Sequence, residues 1–192
     1  PSNTVKNWGG SGQIDYDFGA IGLTSITAYR DTSLSAEQDV DFSSGQLATG
    51  AQIGAAEIQT FTQELRLASD FDGMFNFLVG GYYFKEDLEV QDQIIYGPDF
   101  RPFADQLIQG ATGGALSVAT LEALTSVPAG TFFANGQGFF NDFQQDNEAF
   151  SLFGQVDLDV TDRLTLTLGA NYTEDRKTVT SNSVSTDAFS RV

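Results

Sequence analysis

The feature that most constrains this chain is a period of two in polarity, recurring in paired runs along its length. From Trp8 to Phe18 the even positions are Trp8, Gly10, Gly12, Ile14, Tyr16 and Phe18, and the odd ones are Gly9, Ser11, Gln13, Asp15 and Asp17. Side chains of a strand alternate between faces, so this segment reads as a strand with one apolar or small face and one polar face. A short break at Gly19-Ala20-Ile21-Gly22 leads into a second run, Leu23 to Arg30. The unit recurs as Phe61, Gln63, Leu65 and Leu67 against Thr62, Glu64, Arg66 and Ala68. A turn at Asp70-Phe71-Asp72-Gly73 follows, where Gly73 is expected to supply a positive φ, and then Phe75, Phe77, Val79, Gly81 and Tyr83. A third copy sets Phe150, Leu152, Gly154, Val156 and Leu158 against Ser151, Phe153, Gln155, Asp157 and Asp159. It turns at Thr161-Asp162 and returns through Leu164, Leu166, Leu168, Ala170 and Tyr172.

The expected architecture is all-β and antiparallel: about six strands in three hairpins, over residues 5–31, 58–90 and 148–177. Within hairpins the turns are tight. Between hairpins the connections are long, at 32–57 and 91–147, with a third segment at 178–192. Leu116, Ala119 and Ala123, beside Leu121 and Leu124, recur at helical spacing ahead of Pro128, so part of the second connection is expected to be helical. The facing of residues 23–30 and 74–84 stays open at this level, because apolar residues occupy both parities. Short turns at one end and long loops at the other match a transmembrane β-barrel sector. A soluble antiparallel sheet with one face in a core would show the same alternation.

Aromatic placement and face chemistry weigh for the membrane. Phe18 lies beside a tight turn, whereas Trp8, Tyr83, Phe150 and Tyr172 lie about ten residues from theirs, a rise of roughly 25 Å for tilted strands. These five are expected to be membrane-interface aromatics. Gln13, Asp15, Glu64, Arg66, Gln155, Asp157 and Asn171 suit a wet lumen better than a dry core, where unpaired charges cost several kcal/mol each. An open six-stranded sheet in lipid leaves its edge backbone groups unpaired, so a larger closed barrel is expected. Beginning almost in a strand and ending at Ser-Arg-Val, the chain reads as an internal piece of one.

Composition excludes several functions. The 192 residues carry 9 Lys plus Arg against 26 Asp plus Glu, a formal charge of −17, with neither Cys nor His. Disulfides, Cys or His zinc sites and histidine-based catalysis are ruled out. Nucleic acid is an unsuitable partner for so acidic a chain. No stretch approaches the length of a transmembrane helix, and Pro1 to Thr4 open no basic, apolar leader.

Five segments, in order along the chain, are similar to barrel strands of TonB-dependent outer-membrane receptors. They are Leu23-Thr24-Ser25-Ile26-Thr27-Ala28-Tyr29-Arg30-Asp31, the pair Thr62–Ser69 and Phe75–Phe84, the stretch Ala149–Gln155, and Leu166–Asp175. The resemblance spans the three hairpins. It implies a twenty-two-stranded barrel with a plug domain inside, set in the outer membrane of a Gram-negative bacterium. It implies energised uptake of a scarce nutrient: a ferric siderophore, haem, cobalamin or an oligosaccharide. The implied partners are outer-membrane lipid, the protein's own plug domain, the TonB complex and the small-molecule nutrient. Neither enzymatic activity nor a cofactor is expected. The alternatives are a β-sheet binding or adhesion module that self-associates through open edges, and a passive porin-like channel.

Within that frame the 91–147 connection is the expected ligand-facing segment, through Tyr96, Phe100, Arg101, Phe103, Phe139 and Phe140, whose rings can stack on ligand rings. The competing reading is that these aromatics pack the loop on itself. Acidic groups at Asp39 and Asp41, at Asp70 and Asp72, and at Glu86, Asp87 and Glu89 lack the spacing of a calcium loop, so no metal site is expected. Asp15, Asp17, Asp157 and Asp159 are candidates for pairing with basic groups of a plug.

Overall fold

A computed structural model describes residues 2–37 and 44–191, and the side chains of all of these except 49–54. Asp39 and Asp41 lie outside the described residues. The strands are β1 (Ser2–Asp17), β2 (Ile21–Glu37), β3 (Ala48–Ser69), β4 (Phe75–Tyr96), β5 (Gly138–Thr161) and β6 (Leu164–Ser185). Helices α1 (Phe100–Ala111) and α2 (Val118–Leu124) lie between β4 and β5, and a short 3₁₀ turn, Phe189–Arg191, follows β6. All six strands form one antiparallel meander in sequence order, and the sheet does not close: β1 and β6 are its edges.

The strands outrun the hairpins expected from polarity. Residues 32–37, 91–96, 138–147 and 178–185, expected in loops, continue the ladders. They were illegible because their polar residues face the side that is apolar lower down, so the expected contrast disappears. Both sides of the sheet remain legible in the register. Leu23, Ser25, Thr27 and Tyr29 pair with Tyr16, Ile14, Gly12 and Gly10, which puts them on the Trp8 face. Phe75, Phe77, Val79, Gly81 and Tyr83 share that face, and Asn76, Leu78, Gly80, Tyr82 and Phe84 lie on the other, here called the Asp15 face.

The tight turns are closed locally. Gly19 takes φ +97° and donates its N–H to Asp17 Oδ1 at 2.6 Å. Gly73, by contrast, is not at positive φ. That turn is held by Asn76, whose Oδ1 accepts from Phe71 N at 2.7 Å and Ser69 Oγ at 2.9 Å, so a left-handed residue is not needed. Gly80 answers a close approach instead. The ring of its cross-strand partner Phe153 lies over it, and a Cβ there would also sit 2.7 Å from Leu65 O. An aromatic ring covering a strand glycine shields backbone that would otherwise be bare.

The sheet has no second layer, so neither of its faces is a core. Among the described residues the buried apolar cluster is Ala104, Val118 and Phe132, with Phe100, Ile108, Leu121, Val127, Phe133 and Ala188 packed around it. It sits wholly in the cap formed by the helices and the turn after β6.

Candidate functional site

On the Trp8 face the apolar side chains are largely uncovered. Ile14 is 70% exposed, Trp8 and Tyr172 62%, and Leu168 59%. Burying such a face is worth about 25 cal/mol per Å2 of apolar surface, so it demands an apolar environment. Large aromatics bound it in an ordered way: Trp8 on β1, Tyr29 on β2, Phe61 on β3, Tyr83 on β4, Phe150 on β5 and Tyr172 on β6. Tyr172 shares its ladder row with Leu152, Gly81, Leu65, Ser25 and Ile14. Ile14 is six residues from Trp8, so the aromatic line descends about 20 Å while crossing five strand gaps, about 24 Å. A straight line across the sheet with that slope makes about 40° with the perpendicular to the strands.

Beyond this line the two faces exchange polarity. On the Trp8 face Lys85, Asp87, Glu89, Glu148, Asp146, Gln144 and Arg176 follow. On the Asp15 face the ladder rows become Ile58–Leu88–Gln145–Val179 and Leu34–Ala56–Val90–Phe143. Below the line the Asp15 face carries the polar residues singled out from sequence. One row runs Asp15–Thr24–Arg66–Gly80–Phe153–Asn171, with Gln13 and Glu64 sharing the row above and Gln155 and Asp157 in rows below. Gln13 and Thr24 donate to the two oxygens of Asp15 at 2.8 and 2.7 Å. Thr167 and Gln155 serve Asp157 the same way, at 2.6 and about 3.1 Å. Arg66 Nε lies 2.7 Å from Glu64 Oε1 on the same strand. All seven residues therefore lie on one face.

The cap is built around one carboxylate. Glu122 is 1% exposed. Arg101 meets it with both guanidinium nitrogens, at 2.7 and 2.9 Å. Phe132 N donates to Oε1 at 2.8 Å and Gly130 N to Oε2 at 3.1 Å. A buried charge so fully paired avoids the desolvation cost of a lone one. The Arg101 guanidinium, followed by the two backbone donors, holds the Glu122 carboxyl down at about 2 despite its burial. Asp105 Oδ1 accepts from Val118 N at 2.7 Å, tying α1 to the start of α2. Pro102 is accommodated because it lies in the first turn of α1, where an amide would have no helical acceptor.

This arrangement reassigns part of the expected ligand-facing set. Tyr96 ends β4 and stacks on Phe100 at 4.0 Å, and both rings contact Phe133. Burial raises the Tyr96 phenol above its usual value, with the Asp187 charge adding to it. Arg101 is committed to Glu122. These three hold the loop to itself. Phe139 and Phe140 belong to β5 and not to a loop, Phe139 on the Asp15 face and Phe140 on the Trp8 face. Phe103 is 40% exposed and is not among the residues packed on the cluster. The six do not converge on one point. Glu122 and Asp105 were missed from sequence, and only the isolation of Arg101 among acids hinted that a buried partner existed. No group of three or more acidic side chains suited to a metal occurs among the described residues.

No protein-family model matches this chain, and no curated protein matches it.

Proposed function

We propose that the chain is a wall sector of a TonB-dependent outer-membrane receptor, the Trp8 face turned to lipid below the aromatic line and the Asp15 face turned to the lumen. The observation that carries this reading is the slope of that line. Strands of outer-membrane barrels tilt by about 35–45°, and aromatic residues gather at the level of the lipid headgroups. A membrane surface crossing tilted strands must cut the ladder obliquely, at the tilt angle. The aromatic line does so at about 40°, and the outward face turns acidic on its far side. A soluble sheet packed on a core has no reason to incline its aromatics.

The open edges of β1 and β6 agree, since lipid tolerates a sheet only where it closes. In this reading the sector contributes wall and cap to energised uptake of a small nutrient, and no residue of it performs chemistry.

The test is an intact mass of the natural protein, with peptide coverage on both sides of residues 1 and 192, combined with membrane fractionation. A chain several times longer, sedimenting with the outer membrane and migrating anomalously unless boiled, is the expected result. A natural chain of 192 residues would sink it and leave assembly of several copies through the β1 and β6 edges. A longer chain in the soluble fraction would sink it outright.

A further inference from the structure

The Asp15 face is not uniformly flat. Over β1, β2 and β3 it carries an open hollow of about 730 Å3, within the range of small-molecule sites. Its floor is made of small residues, Gly9, Ser11 and Ala28, with Thr60 and Thr62 beside them and Arg30 at the upper rim. The register explains the depression: Gly9 pairs Arg30 and Arg30 pairs Thr60, while Ser11 pairs Ala28 and Ala28 pairs Thr62. Two adjacent rows thus lack long side chains except for one arginine. Gly9 is dictated by the backbone, since a Cβ there would sit 2.6 Å from Tyr29 O.

Arg30 is the charge of the hollow, and no ion pair among the described residues engages it. The ion pairs among the described residues join Arg66 to Glu64, Lys85 to Asp87, Arg101 to Glu122 and Arg176 to Glu174. On its own face, Glu86 shares the Arg30 row but lies two strands away, about 10 Å. Above Arg30 on the same face the next row is Asn7, Thr32 and Ile58, and the one beyond it is Val5, Leu34 and Ala56. The hollow therefore offers one guanidinium and a set of hydroxyls, and an apolar row, Val5, Leu34 and Ala56, lies past its upper rim. The one cation of this hollow, in a chain of charge −17, suits one negative group; a polyanion would meet the surrounding field unfavourably.

We propose that this hollow binds a small monocarboxylate with an apolar body, its carboxylate on Arg30 and its body extending past the rim toward Ile58, Leu34 and Val5. The proposal deepens the uptake reading, on which it rests for the Asp15 face being the lumen wall. Planar guanidinium and carboxylate match in a bidentate pair. The hydroxyls of Ser11, Thr60 and Thr62 are placed to serve polar substituents.

The full natural chain, folded into lipid nanodiscs, is dialysed to equilibrium against radiolabelled 4-phenylbutyrate and, separately, uncharged 4-phenylbutanol. Saturable binding of the acid, at least tenfold tighter than the alcohol, is expected. Arg30→Gln should weaken the acid roughly tenfold or more and leave the alcohol unchanged. Ala28→Leu, which fills the floor and keeps Arg30, should weaken both. The comparison of acid with alcohol needs no variant, so misfolding of either variant does not protect the proposal. Equal binding of acid and alcohol, an unchanged affinity in folded Arg30→Gln, or no saturable binding of the acid by the folded chain would each overturn it. Failure of binding by a chain that keeps its heat-dependent gel mobility rejects this site alone. Loss of that mobility in the unaltered chain rejects the barrel reading beneath it.

Discussion

The lower and upper halves of the sheet share strands, register and period, yet their faces are opposite in kind. Below the aromatic line the Trp8 face carries Ile14, Leu65, Leu152 and Leu168, while the Asp15 face carries Asp15, Arg66 and Asn171. Above it the Trp8 face carries Asp87, Glu89 and Asp146, and the apolar residues Leu88, Val90 and Phe143 occupy the Asp15 face. Local propensity cannot cause such an exchange, because β4 and β5 run through it without a break. The cause lies in the surroundings. Period two says only that the two sides of a strand differ; which side is apolar depends on what each side touches, and that changes at the line. In the barrel reading proposed above, the lower half has its apolar environment outside the molecule. The upper half builds its own in the cap, around Phe132 and Glu122.

The largest expected effect breaks the comparison from below. Leu168 lies midway between Tyr172 and the turn at Asp162–Arg163, on the Trp8 face. Leu168→Arg should destabilise the lipid-folded protein by about 2–4 kcal/mol, as a cation near the bilayer midplane does. Gln144→Arg, on the same face but above the line, should change stability by less than about 0.5 kcal/mol. Urea unfolding in vesicles measures both. Equal effects would mean that the line is not a boundary between environments.

Next comes the cap. Glu122→Gln leaves Arg101 half-buried without its counter-charge and should cost about 3 kcal/mol locally. Hydrogen exchange should accelerate across 97–137 while the central ladders of β3, β4 and β5 stay protected. Acid should act on the same contact. The carboxyl is held at about 2 in the folded cap, below its unfolded value near 4.5. Its stabilisation is thus complete above pH 4.5 and is lost as pH falls toward 2. Exchange in the cap should stay slow at pH 5 and rise between pH 4 and 2. In Glu122→Gln that acid-dependent rise should vanish, and its persistence would assign it to another carboxyl.

How much of this was legible depends on where a residue sits relative to the same line. The lower hairpins could be read because Phe150 to Leu158 and Leu164 to Tyr172 alternate with strong contrast. Their upper continuations could not, because Asp142, Gln144 and Asp146 look like loop on a face that is apolar lower down. Helix α2 announced itself through Leu121 and Leu124. Helix α1 did not, since it starts with Phe100-Arg101-Pro102 and contains Gly110. The polar set from Gln13 to Asn171 emerged on one face as its parity required. The ligand-facing set did not converge, because Arg101 finds Glu122 across 21 residues of chain, a pairing that no local pattern encodes.

A smaller perturbation probes the sheet where both halves depend on it. Gly80→Ala places a methyl against Leu65 O and under the Phe153 ring, and should cost about 1–3 kcal/mol, as overpacking does. Gly81→Ala, whose Cβ would be 3.6 Å from Leu152 Cδ2 and Ser151 O, should cost well under that. If the pair behave alike, the ring of Phe153 is not seated on Gly80.

The gentlest test starts from the unaltered chain. Trp8 is the single tryptophan, lies on the aromatic line and is 62% exposed. If the line marks the headgroup level, Trp8 fluorescence in vesicles should be quenched most by lipids brominated near the carbonyl end of their chains and least by lipids brominated near the chain terminus. Ile14→Trp with Trp8→Phe moves the reporter six residues down the same face, about 15 Å along the normal for a 40° tilt. Its quenching order should then reverse. Because both reporters sit on one strand and one face, a reversal measures depth alone. If both positions answer the two lipids alike, the aromatic line is not level with the membrane surface, and the slope that supports the barrel reading loses its meaning.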